Sequence, residues 1–529
     1  ETALSILGGM IAGIVNPINP LLEAEQMGAI LRETNARVLV TLRSFPKTDV
    51  AQKAAQAVSF APNVKTILEV DLTRYLSPPK KWLVPLLRPK NDIQHGATVM
   101  NFNELLNQQN TTLNFEDLEE DKVVALFHTG GTTGMPKIAQ HRVSGIMYNV
   151  WVVNTLLVNE GDNLMCPLPM FHVFACHVIL MPAIYSGAHV IFPTPAGYRG
   201  DGVFDNFWKL VERWKITFII TVPTAISALM QRPVDADIST VKKAYSGSAP
   251  IPVELFKRFE KAADIELVEG YGLTEATVSV ASNPLQGKKK IGSVGLRLPY
   301  TDIKIIKISE SGVEECKKGE IGEICISSPG VWPLNTYTDS SKNSEIFYQD
   351  KFLRTGDLGR LDDDEYLWMT GRAKDLIIRS GHNIDPALIE ETLLSHEAVA
   401  FAGAIGQPDP KSGEMPCVYV ELVAEATVTA EELKSYCEQH VPERAAHPKY
   451  VELLDELPKT AVGKVFKPDL RKRAITRVYN ETLREAGLET RVESVMDDKE
   501  RGMVVKLSAG GSDEVIQGLL GHFVQPWER

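Results

Sequence analysis

The chain has 529 residues, 56 basic and 68 acidic, for a formal net charge of −12. So acidic a chain repels a polyanion, which excludes a general nucleic-acid binder, and 44% hydrophobic with 23% charged residues is the balance of an ordinary globular protein. At roughly 150 residues per domain the length predicts about three to four domains, one of them large. Six scattered cysteines (Cys166, Cys176, Cys316, Cys325, Cys417, Cys437), none at CxxC spacing, exclude a disulfide scaffold and a structural zinc site and suit a reducing cytosol.

In chain order, the first apolar run, Ala3 to Val15, is too short to span a bilayer and has no charged stretch before it, so neither a transmembrane segment nor a signal peptide is expected. The chain starts at Glu1 inside a helical pattern and reads as cut at its front. From about 120 to 275, strand-like runs (Val123–Phe127, His189–Phe192, Phe218–Val222, Lys242–Ser246, Glu266–Val268) alternate with helical patterns (Val203–Trp214, Thr224–Met230, Val253–Ala263). That alternation predicts parallel βαβ units, with functional loops at the carboxyl ends of the strands. Lys288-Lys289-Lys290 reads as a solvated loop. From 291 to 370 a β-rich subdomain is expected, with strands at Asp302–Ile308, Glu320–Ser327 and Glu365–Met369. Beyond Gly371 the pattern is mixed: helices at Pro386–Leu394, Ala430–His440 and Ala474–Ala486, and a strand at Val418–Val423. A short α+β appendix follows, with strands at Thr490–Ser494 and Met503–Ser508 and a helix at Asp513–Phe523. The fold class is α/β, and the expected domains are 1–373, a smaller lid at 374–475, and an extension at 476–529.

The segment Val123 to Lys137 carries the strongest chemical signal. A strand runs into Thr129-Gly130-Gly131-Thr132-Thr133-Gly134-Met135-Pro136-Lys137. Glycines let backbone N–H groups turn toward an anion, hydroxyls add donors, and the lysine adds a point charge. It is not a Walker loop, because Lys137 stands two residues beyond Gly134 and is followed by Ile138. The run resembles the signature loop of the adenylate-forming (AMP-binding) superfamily, which includes acyl-CoA synthetases, luciferase-like enzymes and peptide-synthetase adenylation domains. It departs from that loop only in having Ile138 where the family commonly has glycine.

Further segments carry the same resemblance in the expected order, to about residue 472. Asn16-Pro17 to Pro20 precedes a helix and the strand Val38–Thr41. Pro169-Met170-Phe171-His172 resembles an element that places its histidine between nucleotide and acyl pocket. Ser246-Gly247-Ser248-Ala249-Pro250 and Glu269-Gly270-Tyr271-Gly272-Leu273-Thr274-Glu275 resemble the adenine-binding blocks, and both follow expected strands. A flat base can slide against Gly247, Ser248, Ala249, Pro250, Glu269, Gly270, Tyr271 and Gly272; Thr274 can donate to a phosphate, and Glu275 supplies the hard oxygen Mg²⁺ prefers. The resemblance implies that Asp357 grips the ribose hydroxyls, helped by Arg372, that Lys374 is a hinge, and that the Gly381 loop lines a thiol tunnel once the lid turns. Pro458 to Lys467 resembles the element in which the family keeps its adenylation lysine, here Lys464, with Lys459 and Lys467 as weaker alternatives.

The resemblance implies an ATP-, Mg²⁺- and CoA-dependent ligase of fatty-acid or aryl-acid metabolism, catalysed by Lys464, Thr274, Glu275 and His172, with Thr129 to Gly134 and Lys137 on the phosphates. A carboxylate attacking a tetra-anion needs charge cancelled and the approach aligned, which is work for cations and not for a cysteine. The acyl pocket is expected between Phe171 and Tyr198, along the helix from Thr224 and at Ala276–Ala281; these segments hold no lysine or arginine, which disfavours a dicarboxylic acid. Arg199 reads as a cap for the helix after it. Two alternatives stand: transfer to a carrier protein or other acceptor, and a non-catalytic adenine-nucleotide-binding regulator, disfavoured because a sensor needs no adenylation lysine. A cytoplasmic location is expected, with peripheral membrane contact and oligomeric state left open.

Overall fold

The computed structural model describes residues 1–112, 120–129, 136–309, 312–461, 463–498 and 501–529. Its centre is a seven-stranded sheet in the order Leu296–Arg297, Val278–Ser282, Leu267–Leu273, Lys243–Ser246, Phe218–Thr221, Asn163–Met165, His189–Ile191. The five strands from Leu267–Leu273 to His189–Ile191 run parallel, and the other two close one edge antiparallel. The edge strand His189–Ile191 starts at an exposed residue, whereas Phe218–Thr221, inside the parallel array, is buried at all four positions. Hence its sequence is a continuous apolar run and not an alternating one. Helices Phe207–Trp214, Pro223–Met230 and Val253–Ala263 cover one face, where Trp208, Phe256 and Phe259 pack against Ile219 and Leu267. The other face packs on Val143–Leu156 and the π-helical turn Phe174–Leu180, fully buried throughout.

Two neighbouring sheets complete the large domain. Val38–Leu42, Thr66–Val70 and Thr98–Asn101 form a parallel sheet, and the β-rich region from Asp302 to Arg372 is an antiparallel sheet. One expectation fails here. Val123–Thr129 is not a strand of a parallel βαβ unit but pairs antiparallel with Lys137–Arg142. The expected phosphate loop therefore connects two antiparallel strands, and Lys137–Arg142, which buries Ile138, Ala139 and His141, has no strict period-two pattern to mark it as a strand. The lysines at 288–290 are also not simply solvated: Lys289 pairs with Glu260 and Glu266, Lys290 with Asp362 and Asp364.

The lid is a five-stranded sheet, His382–Ile384, Ile377–Arg379, Gly413–Leu422, Val399–Asp409 and Tyr450–Leu453, backed by Pro386–Leu394 and Ala430–His440. The boundary expected at 475/476 falls inside one helix, Lys467–Glu485. Its first half fills the lid core with Leu470 and Ala474, and its second half fills the appendix core with Ile475, Tyr479 and Leu483. The appendix strands Val492–Asp498, Gly502–Leu507 and Trp527–Glu528 are thereby fixed to the lid. No helix among the described residues is long and apolar enough to cross a membrane.

Candidate active site

Strand ends and one antiparallel register build the nucleotide end of the site. Asp357 and Arg372 are direct cross-strand partners, which sets their side chains side by side. Arg372 Nε donates to Asp357 Oδ1 at 2.8 Å, and the Tyr271 hydroxyl donates to Asp357 Oδ2 at 2.7 Å. Both oxygens are held, yet each keeps a lone pair for a further donor such as a ribose hydroxyl. Burial lowers the Arg372 pKa, but the Asp357 carboxylate outweighs it and the net shift is upward. Tyr271 comes from Leu267–Leu273, which extends further than its sequence suggests and carries Glu269 to Gly272 within the strand. A Cβ at Gly270 would overlap the Tyr245 hydroxyl, and one at Gly272 would overlap the Val278 carbonyl, so only glycine lets the backbones approach there. Gly247, Ser248, Ala249 and Pro250 follow Lys243–Ser246, and Gly247 faces the Phe174 ring. Ser248 adopts φ 75°, and its buried hydroxyl has no hydrogen-bond partner among the described residues.

At the phosphate end, Thr129 closes one hairpin strand and Lys137 opens the other. Gly130, Gly131, Thr132, Thr133 and Gly134 lie outside the described residues. Lys137 Nζ stands 4.9 Å from the centre of the Tyr337 ring, whose hydroxyl donates to Glu275 Oε1 at 2.7 Å. One tyrosine thus holds Lys137 and Glu275, the residues expected to face phosphate and metal, in register. Glu275 retains Oε2 for a hard cation, a single carboxylate being what an ion still carrying most of its water and phosphate ligands requires. Among the described residues no three His, Cys, Asp or Glu side chains form a cage, so a divalent ion here would depend on the nucleotide's own oxygens. Thr274 is fixed through its backbone: its carbonyl is 2.7 Å from His141 Nε2, and His141 Nδ1 is 3.1 Å from His177 Nε2.

His172 is buried next to Phe171, which lines a large cavity. Its Nδ1 accepts the Phe174 N–H at 3.2 Å, and desolvation, with Lys464 and His128 adding to it, lowers its pKa to about 3, so it is neutral. The cavity, about 2860 Å³, is walled by Ile6, Ile14, Phe171, Phe192, Tyr198 and Ala225, among others. Phe171, the end of the Phe171–Tyr198 segment and the helix at Thr224 do line it, but Ala276–Ala281 does not: Ala276, Val280 and Ala281 are consumed in the core between two sheets. Phe174–Leu180 is likewise core and not wall. Arg199 caps no helix; its Nη2 donates to the Thr460 carbonyl of the lid at 3.4 Å.

The lid presents Lys464 from a small hairpin. Lys459 and Val465 form an antiparallel bridge, Thr460 N–H donates to the Lys464 carbonyl at 2.7 Å, and Lys464 N–H to Thr460 Oγ1 at 3.0 Å. Gly463, at φ 81°, makes the turn against Thr224, where a Cβ would strike the threonine hydroxyl. Lys464 opens onto the cleft, but the walls around it strip enough water to lower its pKa, a shift Asp357 and Glu275 oppose and Arg372 assists. It therefore stands within electrostatic reach of both carboxylates. Gly381 is elsewhere, in the exposed turn between Ile377–Arg379 and His382–Ile384. Glu269 sits apart as well: its buried carboxylate accepts the Ile251 N–H at 2.9 Å and its pKa rises to about 8 through desolvation. The residues not foreseen are Tyr337, which no motif marks, and helix Thr2–Ala12, whose small and apolar residues form one cavity wall.

The AMP-binding enzyme family matches residues 1–333, and the AMP-binding enzyme C-terminal domain matches residues 388–464. The chain is 34% identical to the marinolic acid–CoA ligase of Pseudoalteromonas sp. (strain SANK 73390), over all of this chain and 79% of that protein. It is 32% identical to a long-chain-fatty-acid–CoA ligase of Bacillus subtilis (strain 168), over 88% of this chain and 82% of that one. The crystal structure of the anthranilate CoA ligase AuaEII in complex with anthranoyl-AMP superposes with a TM-score of 0.72 at 26% identity, covering 87% of this chain and 82% of that one. With the nucleotide end, the apolar cavity and the lid lysine assembled as described, the chain belongs to the AMP-binding enzyme family and is an AMP-forming acyl-CoA synthetase that uses ATP, Mg²⁺ and CoA.

Proposed function

We propose that the protein activates a large apolar monocarboxylic acid as its acyl-adenylate at the seam between large domain and lid, then passes the acyl group to CoA. The observation that carries this reading is the convergence of Lys464, Asp357, Arg372 and Glu275 near neutral His172, with the chain neighbours Phe171 and Gly463 lining a large, mainly apolar cavity. Asp357 and Arg372 hold the ribose, Thr129 and Lys137 with the intervening loop hold the β- and γ-phosphates, and the strand at Tyr271 receives the adenine. Lys464 spans the acid carboxylate and the α-phosphate, drawing two anions together. Glu275 would hold Mg²⁺ through its remaining carboxylate oxygen, and the ion, when bound, would supply charge neutralisation for the departing pyrophosphate. A group held rigidly where charge develops contributes on the order of 10²–10³ in rate. His172, neutral and aimed by the Phe174 N–H, closes the carboxylate end against water without adding a competing charge.

Thioester formation needs no enzyme nucleophile, because the adenylate is a mixed anhydride and AMP leaves when a thiol attacks. It needs a path for the thiol, and we assign this to a second lid pose, reached by rotation at Lys374, that brings the Gly381 turn to the site. All six cysteines are free, which accords with work in the cytoplasm. Pyrophosphate release should be measured over long-chain, aryl, short-chain and dicarboxylic acids, with and without CoA. Release with long apolar acids, and AMP accumulating stoichiometrically only when CoA is present, is the expected result. A preference for short or dicarboxylic acids would refute the substrate assignment.

A further inference from the structure

Residues 72–91 carry five cations (Arg74, Lys80, Lys81, Arg88, Lys90) and no acidic side chain, in a chain whose net charge is −12. Within this stretch Lys80–Leu83 is α-helical and Val84–Leu86 continues it as a 3₁₀ turn, with Leu83 N–H bonded to the Pro79 carbonyl and Leu87 N–H to the Leu83 carbonyl, both at 3.2 Å. Trp82, Leu83, Leu86 and Leu87 stand at i, i+1, i+4 and i+5 and so share one face of the coil. That face is turned to water: the four residues are 67%, 50%, 81% and 65% exposed. Val84 and Arg88 point the other way, Arg88 being tied to Asp71 at 2.6 Å. Lys80, Lys81 and Lys90 are exposed and make no ion pair among the described residues.

We propose that the segment from Lys80 to Lys90 is a membrane-docking surface that seats Trp82, Leu83, Leu86 and Leu87 in the headgroup region of a bilayer containing anionic lipid. Aromatic and aliphatic side chains exposed along a short helical turn, with lysines at both ends, suit a planar anionic interface. The location strengthens the assignment. Tyr75 and Leu106, 62% and 44% exposed, flank this segment in sequence and line the acyl cavity. A docked turn would hold the cavity rim near the layer in which apolar acids dissolve; this consequence rests on the proposed substrate class, whereas the docking itself does not.

The test is cosedimentation of the intact chain with phosphatidylcholine vesicles, alone or with about one third phosphatidylglycerol, at low and high salt. Binding should appear with the anionic vesicles, weaken at high salt, and be at least about tenfold weaker with phosphatidylcholine alone. The double variant Leu86→Glu/Leu87→Glu should lose it, and Lys80→Glu/Lys81→Glu should weaken it by more than about tenfold. Both should release pyrophosphate normally with a water-soluble acid, which separates failure of docking from failure of the ligase reading. Absence of wild-type binding, or equal binding by the Leu86/Leu87 variant, would overturn the proposal. So would a wild-type dimer in solution that the same variant converts to monomer, since the face would then belong to a second copy.

Discussion

Glu269 lies within a motif that resembles a nucleotide-binding block, yet its carboxyl is buried under Ile251 and keeps its proton up to about pH 8. The unfolded chain releases that proton in the usual carboxylate range. Between those two values the folded state binds the extra proton, so stability falls as pH rises, by at most ~1.4 kcal/mol for each pH unit crossed. Glu269→Gln keeps an acceptor for the Ile251 N–H and removes the titration. Thermal melts at pH 5.5 and pH 9 should show the variant losing less stability than wild type across this interval, by about 1–2 °C for the ~1–2 kcal/mol retained; equal losses would contradict the assignment. Motif residues were legible because their chemistry is local: a Thr-Gly-Gly-Thr-Thr-Gly run or a Gly-Lys pair announces an anion by composition alone. Tyr337 was not, since its importance arises only where Glu275 and Lys137 meet its hydroxyl and ring.

The hairpin that offers Lys464 is braced from outside itself. Glu421 Oε2, on the strand Gly413–Leu422, accepts the Leu457 N–H and the Lys459 ammonium, each at 2.8 Å, and Lys459 also lies over the Phe401 ring. One carboxylate thus pins the entry to the turn and holds the Lys459 ammonium, so under the proposed mechanism Lys459 positions the hairpin and Lys464 is the lysine left to act. Glu421→Gln should lower acid-dependent pyrophosphate release about tenfold, or ~1.4 kcal/mol of barrier, while conversion of supplied acyl-adenylate to thioester stays within about twofold. Parallel losses in both would mean Glu421 merely stabilises the lid. At this scale the sequence misleads where pairing is non-local. Pro386–Leu394, Ala430–His440 and Val253–Ala263 have the helix ends their periodicity indicates. Lys137–Arg142 is a strand only because Val123–Thr129 lies beside it, and Ala276–Ala281 is core only because two sheets close over it.

Lid and appendix move as one body if they move at all, because Lys467–Glu485 is a single helix with a core at each end. The contacts of the lid with the large domain include two small polar ones, Arg199 to Thr460 and Ser227 Oγ to the Ala400 carbonyl at 3.1 Å, which can be exchanged without opening a core. At the proposed hinge, Arg471 donates to the Lys374 carbonyl and pairs with Asp375 at 2.8 Å. Lys374→Pro should therefore slow thioester formation by about tenfold or more while sparing adenylation, measured as acyl-adenylate accumulation in the presence of CoA. Unchanged overall turnover would remove the hinge from residue 374. The division into a large α/β domain and a smaller lid was readable from element order; the continuous helix at 475/476 was not, because two cores sharing one amphipathic segment leave no gap in its periodicity.

The measurement that bears most directly on the whole account is the pair of half-reactions of Lys464→Ala. Pyrophosphate released from ATP and the preferred acid should fall by roughly 10²–10³, while CoA added to chemically prepared acyl-adenylate should yield thioester at near the wild-type rate. A variant that keeps adenylating, or one that loses both steps to the same degree, would contradict the placement of this lysine between carboxylate and α-phosphate.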